Sequence, residues 1–120
     1  SASLGSDIGL FEPIHGSYPQ ATGLNIANPM ATVLSAAMMF ENFGLQEEGK
    51  AIRNVVNEAL SKGIVTEDLA DGGKAYGTKE VGDWLAKNIW FLLNPKIVSG
   101  ATLNVAPFYL IKLKVLWKVL

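Results

Sequence analysis

Cysteine is absent from the 120 residues, and histidine and arginine occur once each, as His15 and Arg53. Without cysteine there is no disulfide framework, no zinc–thiolate site and no cysteine nucleophile. That composition suits a reducing cytoplasm, which is the expected location. Strong charge of one sign is also lacking. The net charge is -1, so nothing points to nucleic acid as a partner. No basic region followed by an apolar run opens the chain, which argues against a signal peptide. The apolar stretches near the end are interrupted by Pro95, Pro107 and several lysines, so no membrane span is expected. No repeat or low-complexity segment is present, and no GxGxxG dinucleotide fingerprint.

What is present is a globular composition, 49% hydrophobic and 18% charged, in a length that suits one domain with a modest core. Charge is unevenly spread. Residues 1–89 hold 6 Lys/Arg against 11 Asp/Glu, whereas residues 90–120 hold 4 Lys and no acid. This shift suggests two segments of different origin. Ser stands at position 1 where an initiator Met would be, so the true start is expected upstream.

Ser1 to Gly9 is small and polar and reads as a loop. Leu10 to Ile14 reads as a short strand terminated near Pro13, and His15 to Asn28 as a turn-rich loop. Asn28-Pro29 signals a helix start, with Asn as N-cap and Pro at the first helical position. The following helix is apolar on nearly all sides, which predicts burial on several sides, and Gly44 is its expected stop. A second helix is expected over Gln46 to Ser61. Its stripe is Ile52, Val55, Val56, Ala59 and Leu60, with Arg53 on the solvent side. Glu47 and Glu48 suit its first turn, Lys62 its end and Gly63 its stop, while Gly49 is expected to fray the first turn. Thr66 to Gly77 reads as a solvated connector carrying Asp68 and Asp71. Thr78 is the expected N-cap of a short third helix, Lys79 to Asn88, with Val81, Trp84 and Leu85 inward. From Ile111 the alternation of Ile111, Leu113, Val115, Trp117 and Val119 with lysines predicts a half-buried strand.

The segment with chemical content is Leu10 to Ala37, LFEPIHGSYPQATGLNIANPMATVLSAA. Strand, glycine-containing loop and capped helix in that order let backbone N–H groups and a helix N-terminus face an anionic ligand. On physical grounds alone this is an unspecific nucleotide-site pattern.

The tokens FEP-HGS (Phe11 to Ser17), IANP (Ile26 to Pro29) and LSAAMM (Leu34 to Met39), preceded by SASLG (Ser1 to Gly5), add much more. Together they resemble the NAD-binding loop of the β-decarboxylating dehydrogenases, the isocitrate/isopropylmalate dehydrogenase family. The resemblance covers residues 1–89 and is strongest toward the 3-isopropylmalate branch. It leaves residues 90–120 as an unmatched basic and apolar tail. It implies an α/β fold, mostly helical within this piece, that forms the C-terminal part of the cofactor-binding domain. Within the family, His15 resembles the histidine that packs on adenine, and Gly16 and Ser17 resemble positions where backbone meets the cofactor. Asn28 resembles the residue that contacts adenine, and Glu12 an acid near the nicotinamide side. Tyr18, Pro19 and Ala27 belong to the same cofactor-facing stretch. Each has a plainer reading beside it: a hydrogen-bonded loop histidine, a turn, a helix cap and a solvated carboxylate. Gln20 departs from the pattern, because NAD-using relatives usually place Asp there, whose charge would repel an NADP phosphate. The expected cofactor is therefore NAD, with weaker discrimination against NADP.

Family chemistry oxidises a 2-hydroxy acid and decarboxylates the product. It needs Mg²⁺ or Mn²⁺, an acid and a base, and arginines that hold carboxylates. In the family those groups lie upstream of this segment, so neither catalytic residues nor metal ligands are expected here. The leading expectation is a fragment of a homodimeric, NAD-dependent enzyme of leucine biosynthesis acting on 3-isopropylmalate, inactive alone. Related isocitrate, tartrate or homoisocitrate dehydrogenases are alternatives. So is a non-catalytic nucleotide-binding or interaction module, and more remotely a membrane-surface peptide made by the tail.

Overall fold

A computed structural model describes residues 1–93. The strand expected from Ile111 lies outside the described residues. Two short strands and three helices make up the described part, consistent with a mostly helical piece of an α/β dehydrogenase. Strand β1 (Ala2–Leu4) pairs antiparallel with β2 (Gly9–Phe11), with Ala2 opposite Phe11 and Leu4 opposite Gly9. This corrects two expectations. Part of the presumed opening loop is a strand, and the second strand stops at Phe11 rather than running to Ile14. Glu12-Pro13 accounts for the early stop, since proline has no N–H to extend a ladder.

Helix α1 spans Met30–Asn42. Pro29 is already in the right-handed helical region (φ -84°, ψ -8°), and the Asn28 Oδ1 accepts the Met30 backbone N–H at 3.0 Å. Asn28 thus caps the helix and Pro29 enters it, as the sequence implies; the one-residue shift in boundary is conventional. Within α1 only Ala31 and Asn42 are exposed, in line with its apolar make-up.

Helix α2 spans Gln46–Ser61, as expected. Both α1 and α2 end through the same pair of backbone bonds. Gly44 N–H donates to Glu41 O and Leu45 N–H to Phe40 O. Gly63 N–H donates to Leu60 O and Ile64 N–H to Ala59 O. These are Schellman closures, which require positive φ at the glycine, observed as 77° at Gly44 and 66° at Gly63.

Helix α3 spans Thr78–Leu93, longer than the sequence suggests. Its inward row does not end at Leu85. Ile89 is 1% exposed and carries the helix past Asn88 and Trp90. The core is the seam of the three helices: Val33, Ala37 and Phe40 from α1; Ile52, Val55, Val56 and Ala59 from α2; Val81, Leu85 and Ile89 from α3, closed by Val65. Leu60 leaves the α2 stripe and is 46% exposed.

Two other residues differ from expectation. Gly49 is buried rather than frayed, because α1 and α2 approach each other there. A Cβ on it would lie 2.5 Å from Glu41 Cγ and 3.0 Å from the Ala37 carbonyl. Arg53 does not simply face solvent. Its Nε and Nη2 grip both Glu41 carboxylate oxygens at 2.6 and 2.9 Å, clasping α2 to α1. A fork of two parallel bonds fits the planar guanidinium. Hydrogen bonding from Arg53 holds the Glu41 carboxyl below its ordinary value, against a smaller opposing effect of burial.

Candidate functional site

Between β2 and α1 runs the segment 12–29, which is exposed over most of its length. Glu12, His15, Gly16, Ser17, Tyr18, Pro19, Gln20 and Ala27 are all exposed, and Asn28 is half-buried. The His15 Nδ1 lies 3.1 Å from the Gly16 carbonyl, and a Cβ placed on Gly16 would meet nothing within 4 Å. The backbone there is open to an approaching ligand. A single 3-10 turn, Pro19–Ala21, carries Gln20, with the Ala21 N–H donating to Tyr18 O at 3.0 Å.

The second half of the loop is pinned to α3 by a residue the sequence reading passed over. Asn25 sits at φ 59°, a left-handed conformation that asparagine tolerates better than most side chains. Its carbonyl accepts the Thr78 N–H at 2.9 Å, and its Oδ1 accepts the Lys79 N–H at 2.8 Å. Its Nδ2 donates to Glu80 Oε2 at 3.2 Å. Asn25 therefore caps α3 from more than fifty residues away. Thr78, the expected cap, instead donates its hydroxyl to Ala27 O at 2.6 Å. The Glu80 backbone N–H, followed by Asn25, holds the Glu80 carboxyl below its ordinary value. No local sequence signal marks Asn25 as a cap, because its helix is distant in the chain.

Beneath this junction lies an open cavity of about 620 Å³, lined on the loop side by Ala21, Asn25 and Ala27 and on the α3 side by Thr78, Gly82 and Asp83. Of the residues expected to meet the cofactor, Ala27 lines it; Glu12 and the run from His15 to Gln20 lie on the exposed loop.

Asn28 is tied on its other side to the connector. Its Nδ2 donates to Asp68 Oδ2 at 2.9 Å, and Asp68 Oδ1 accepts the hydroxyl of Thr66, which is 0% exposed. This corrects the reading of Asp68 as a merely solvated acid. Burial raises its carboxyl pKa, but hydrogen bonds from Thr66 and Asn28 outweigh that and the net displacement is downward. No local signal pairs the two, since Asn28 and Asp68 are 40 residues apart.

The Asn28 amide keeps one N–H and one carbonyl lone pair unused, a donor and acceptor set that suits the edge of an adenine. A divalent metal fits less well. Among the described residues no group of three His, Asp or Glu side chains could hold one. Among the same residues, no helix is long and apolar enough to cross a membrane.

A strand, an exposed glycine-containing loop and an asparagine-capped helix are consistent with a piece of an α/β dehydrogenase. The chain belongs to the isocitrate/isopropylmalate dehydrogenase family, whose model, Isocitrate/isopropylmalate dehydrogenase, matches residues 1–85. It is 51% identical over 90 residues to a 3-isopropylmalate dehydrogenase of Bacteroides fragilis, covering 74% of this chain and 26% of that protein. The chloroplastic 3-isopropylmalate dehydrogenase 1 of Arabidopsis thaliana is 50% identical over 93 residues, covering 74% and 22%. A homoisocitrate dehydrogenase of Methanocaldococcus jannaschii is 49% identical over 83 residues, covering 69% and 23%. The chain thus spans about a quarter of the length of the curated relatives it matches. No solved structure gives a significant match.

Proposed function

We propose that this sequence serves as the adenine-side portion of an NAD-dependent 3-isopropylmalate dehydrogenase of leucine biosynthesis. The observation that carries this is the exposed loop from Glu12 to Asn28, open at Gly16 and ending in a helix cap whose amide retains a donor and an acceptor. His15 packs on the adenine, Gly16 and Ser17 present backbone to the cofactor, and Asn28 reads the adenine edge. Tyr18, Pro19 and Ala27 flank that contact, and Glu12 lies toward the nicotinamide. Gln20 meets the adenosine ribose, where its uncharged amide hydrogen-bonds a hydroxyl without repelling a 2′-phosphate.

NAD supplies the hydride acceptor when bound, and this chain's contribution is to bind and orient its adenosine half. The Mg²⁺ or Mn²⁺ that polarises the substrate hydroxyl finds no ligand set among the described residues. The substrate-holding arginines and the acid–base pair belong to other parts of a complete, homodimeric cytoplasmic enzyme. The 120-residue chain alone should therefore give no Mg²⁺-dependent NAD reduction with 3-isopropylmalate, and measurable turnover would overturn this assignment. The intact mass of the native product is the companion measurement. A mass several-fold above 12.9 kDa supports service within a complete dehydrogenase. A mass near that value favours a non-catalytic nucleotide-binding module.

A second reading, homoisocitrate as substrate, is supported by the identity to the archaeal homoisocitrate dehydrogenase. Comparing turnover of the two hydroxy acids by the complete enzyme separates them.

A further inference from the structure

The Asn28 amide is held from both sides by groups that leave it one orientation. Its Oδ1 faces the Met30 backbone N–H, which can only donate, at 3.0 Å. Its Nδ2 faces the Asp68 carboxylate, which can only accept, at 2.9 Å. Rotating the amide by half a turn would set N–H against N–H and oxygen against carboxylate, losing both bonds and adding two repulsions. Asp68 is in turn fixed by the buried Thr66, whose hydroxyl donates to its other oxygen.

From this geometry we infer that Asp68 is a positioning residue that locks the Asn28 amide and thereby makes the site selective for a 6-amino purine. The inference rests on the reading of Asn28 as the adenine contact. A locked amide presents its remaining N–H and carbonyl lone pair in one fixed order. Adenine offers an N6–H donor beside a ring-nitrogen acceptor, the complement of an asparagine amide. On the N1 side hypoxanthine reverses that order, with a carbonyl oxygen in place of the amino donor and an N1–H in place of the ring acceptor. An amide free to turn could satisfy either base, whereas a locked one satisfies only adenine. Thr66 and Asp68 stand in a different part of the chain from the loop, so this selectivity depends on the connector between α2 and α3.

The test is calorimetric titration of the 120-residue chain with NAD and with nicotinamide hypoxanthine dinucleotide, repeated on Asp68→Ala, Asp68→Asn and Thr66→Val. The parent should prefer NAD by about tenfold, the scale of one good bidentate base contact. Asp68→Ala should bring the two affinities within about twofold, mainly by weakening NAD. Asp68→Asn keeps an acceptor for Asn28 and should retain most of the preference. If Asp68→Ala does not fold, Thr66→Val carries the test, with a preference reduced to about threefold. A purely structural role for Asp68 would weaken both dinucleotides equally and leave the preference intact, and that result overturns the inference. A parent that binds both equally overturns it too, while leaving the cofactor-loop reading standing. A parent that binds neither dinucleotide removes that reading, and the inference with it.

Discussion

The three-helix seam and the region before it are built on opposite terms. In the seam, Ala37, Ile52, Val55, Ala59, Val81 and Leu85 are all 0% exposed, and each helix supplies part of a shared interior. In the first 28 residues no side chain reaches that state. Leu4, Ile8, Leu10 and Ile14 expose between 56% and 81% of their surface. The Phe11 ring of the hairpin meets Phe43, just past the end of α1, edge-on at 6.3 Å. Two strands alone are marginal in water, so the hairpin has the character of a sheet that wants more neighbours. Stability therefore resides in the helices, and the proposed cofactor contacts in the loop they carry. The loop's far end is fastened by Asn25 and Ala27 to α3 and by Asn28 to the connector.

The sharpest way to break this comparison is to truncate equivalent side chains in the two regions. Leu85→Ala should cost about 2–5 kcal/mol in urea unfolding, because it leaves a cavity in the seam. Leu10→Ala should cost no more than about 0.5 kcal/mol, as for an exposed site. Equal losses would mean that the hairpin is part of the same core.

Next in size is Gly49→Ala. In an exposed helix this change stabilises by about 1 kcal/mol. Here the new Cβ would press on Glu41 and the Ala37 carbonyl, so the sign should reverse to a net loss of about 1 kcal/mol or more. A higher melting temperature for the variant would refute the close approach of α1 and α2.

Asn25→Ala should cost about 1 kcal/mol, the usual value of a helix cap. Faster amide exchange should then be seen at Thr78 and Lys79, while α1 and α2 stay protected.

The smallest effect is pH dependence. The Glu41 carboxyl is held below its ordinary value by Arg53, so its contribution is present above about 4.5 and is lost as pH falls through the lower folded value. The pair is partly exposed, which screens it, so Glu41→Gln should flatten the acid limb of the stability curve only slightly. An unchanged acid limb would mean that the clasp adds nothing.

Much of this molecule is legible in its sequence. Asn28-Pro29 signals the start of α1, the spacing of Ile52, Val55, Val56 and Ala59 sets the buried face of α2, and Gly44 and Gly63 mark the two helix ends. These are short-range effects: a cap, a 3.6-residue period and a left-handed turn depend on neighbours within a few positions. The tokens around His15 and Asn28 likewise place the chain in its family. What the sequence left out comes from partners distant along the chain. Ser1 to Gly9 reads as loop because a three-residue strand needs only a pairing partner to form, not a pattern of its own. Arg53 reads as solvent-facing because Glu41 is on another helix. Asn25 as the cap of α3, Gly49 as a helix contact and Asp68 as the anchor of Asn28 all follow from how the helices pack. The sequence by itself determined which segments are helical, where α1 starts and where α1 and α2 stop, because those choices are made by local hydrogen bonding. Only the tertiary structure decided which polar side chains hold the loop in place, because a hydrogen bond between residues 40 or 54 positions apart exists only once packing has brought them together.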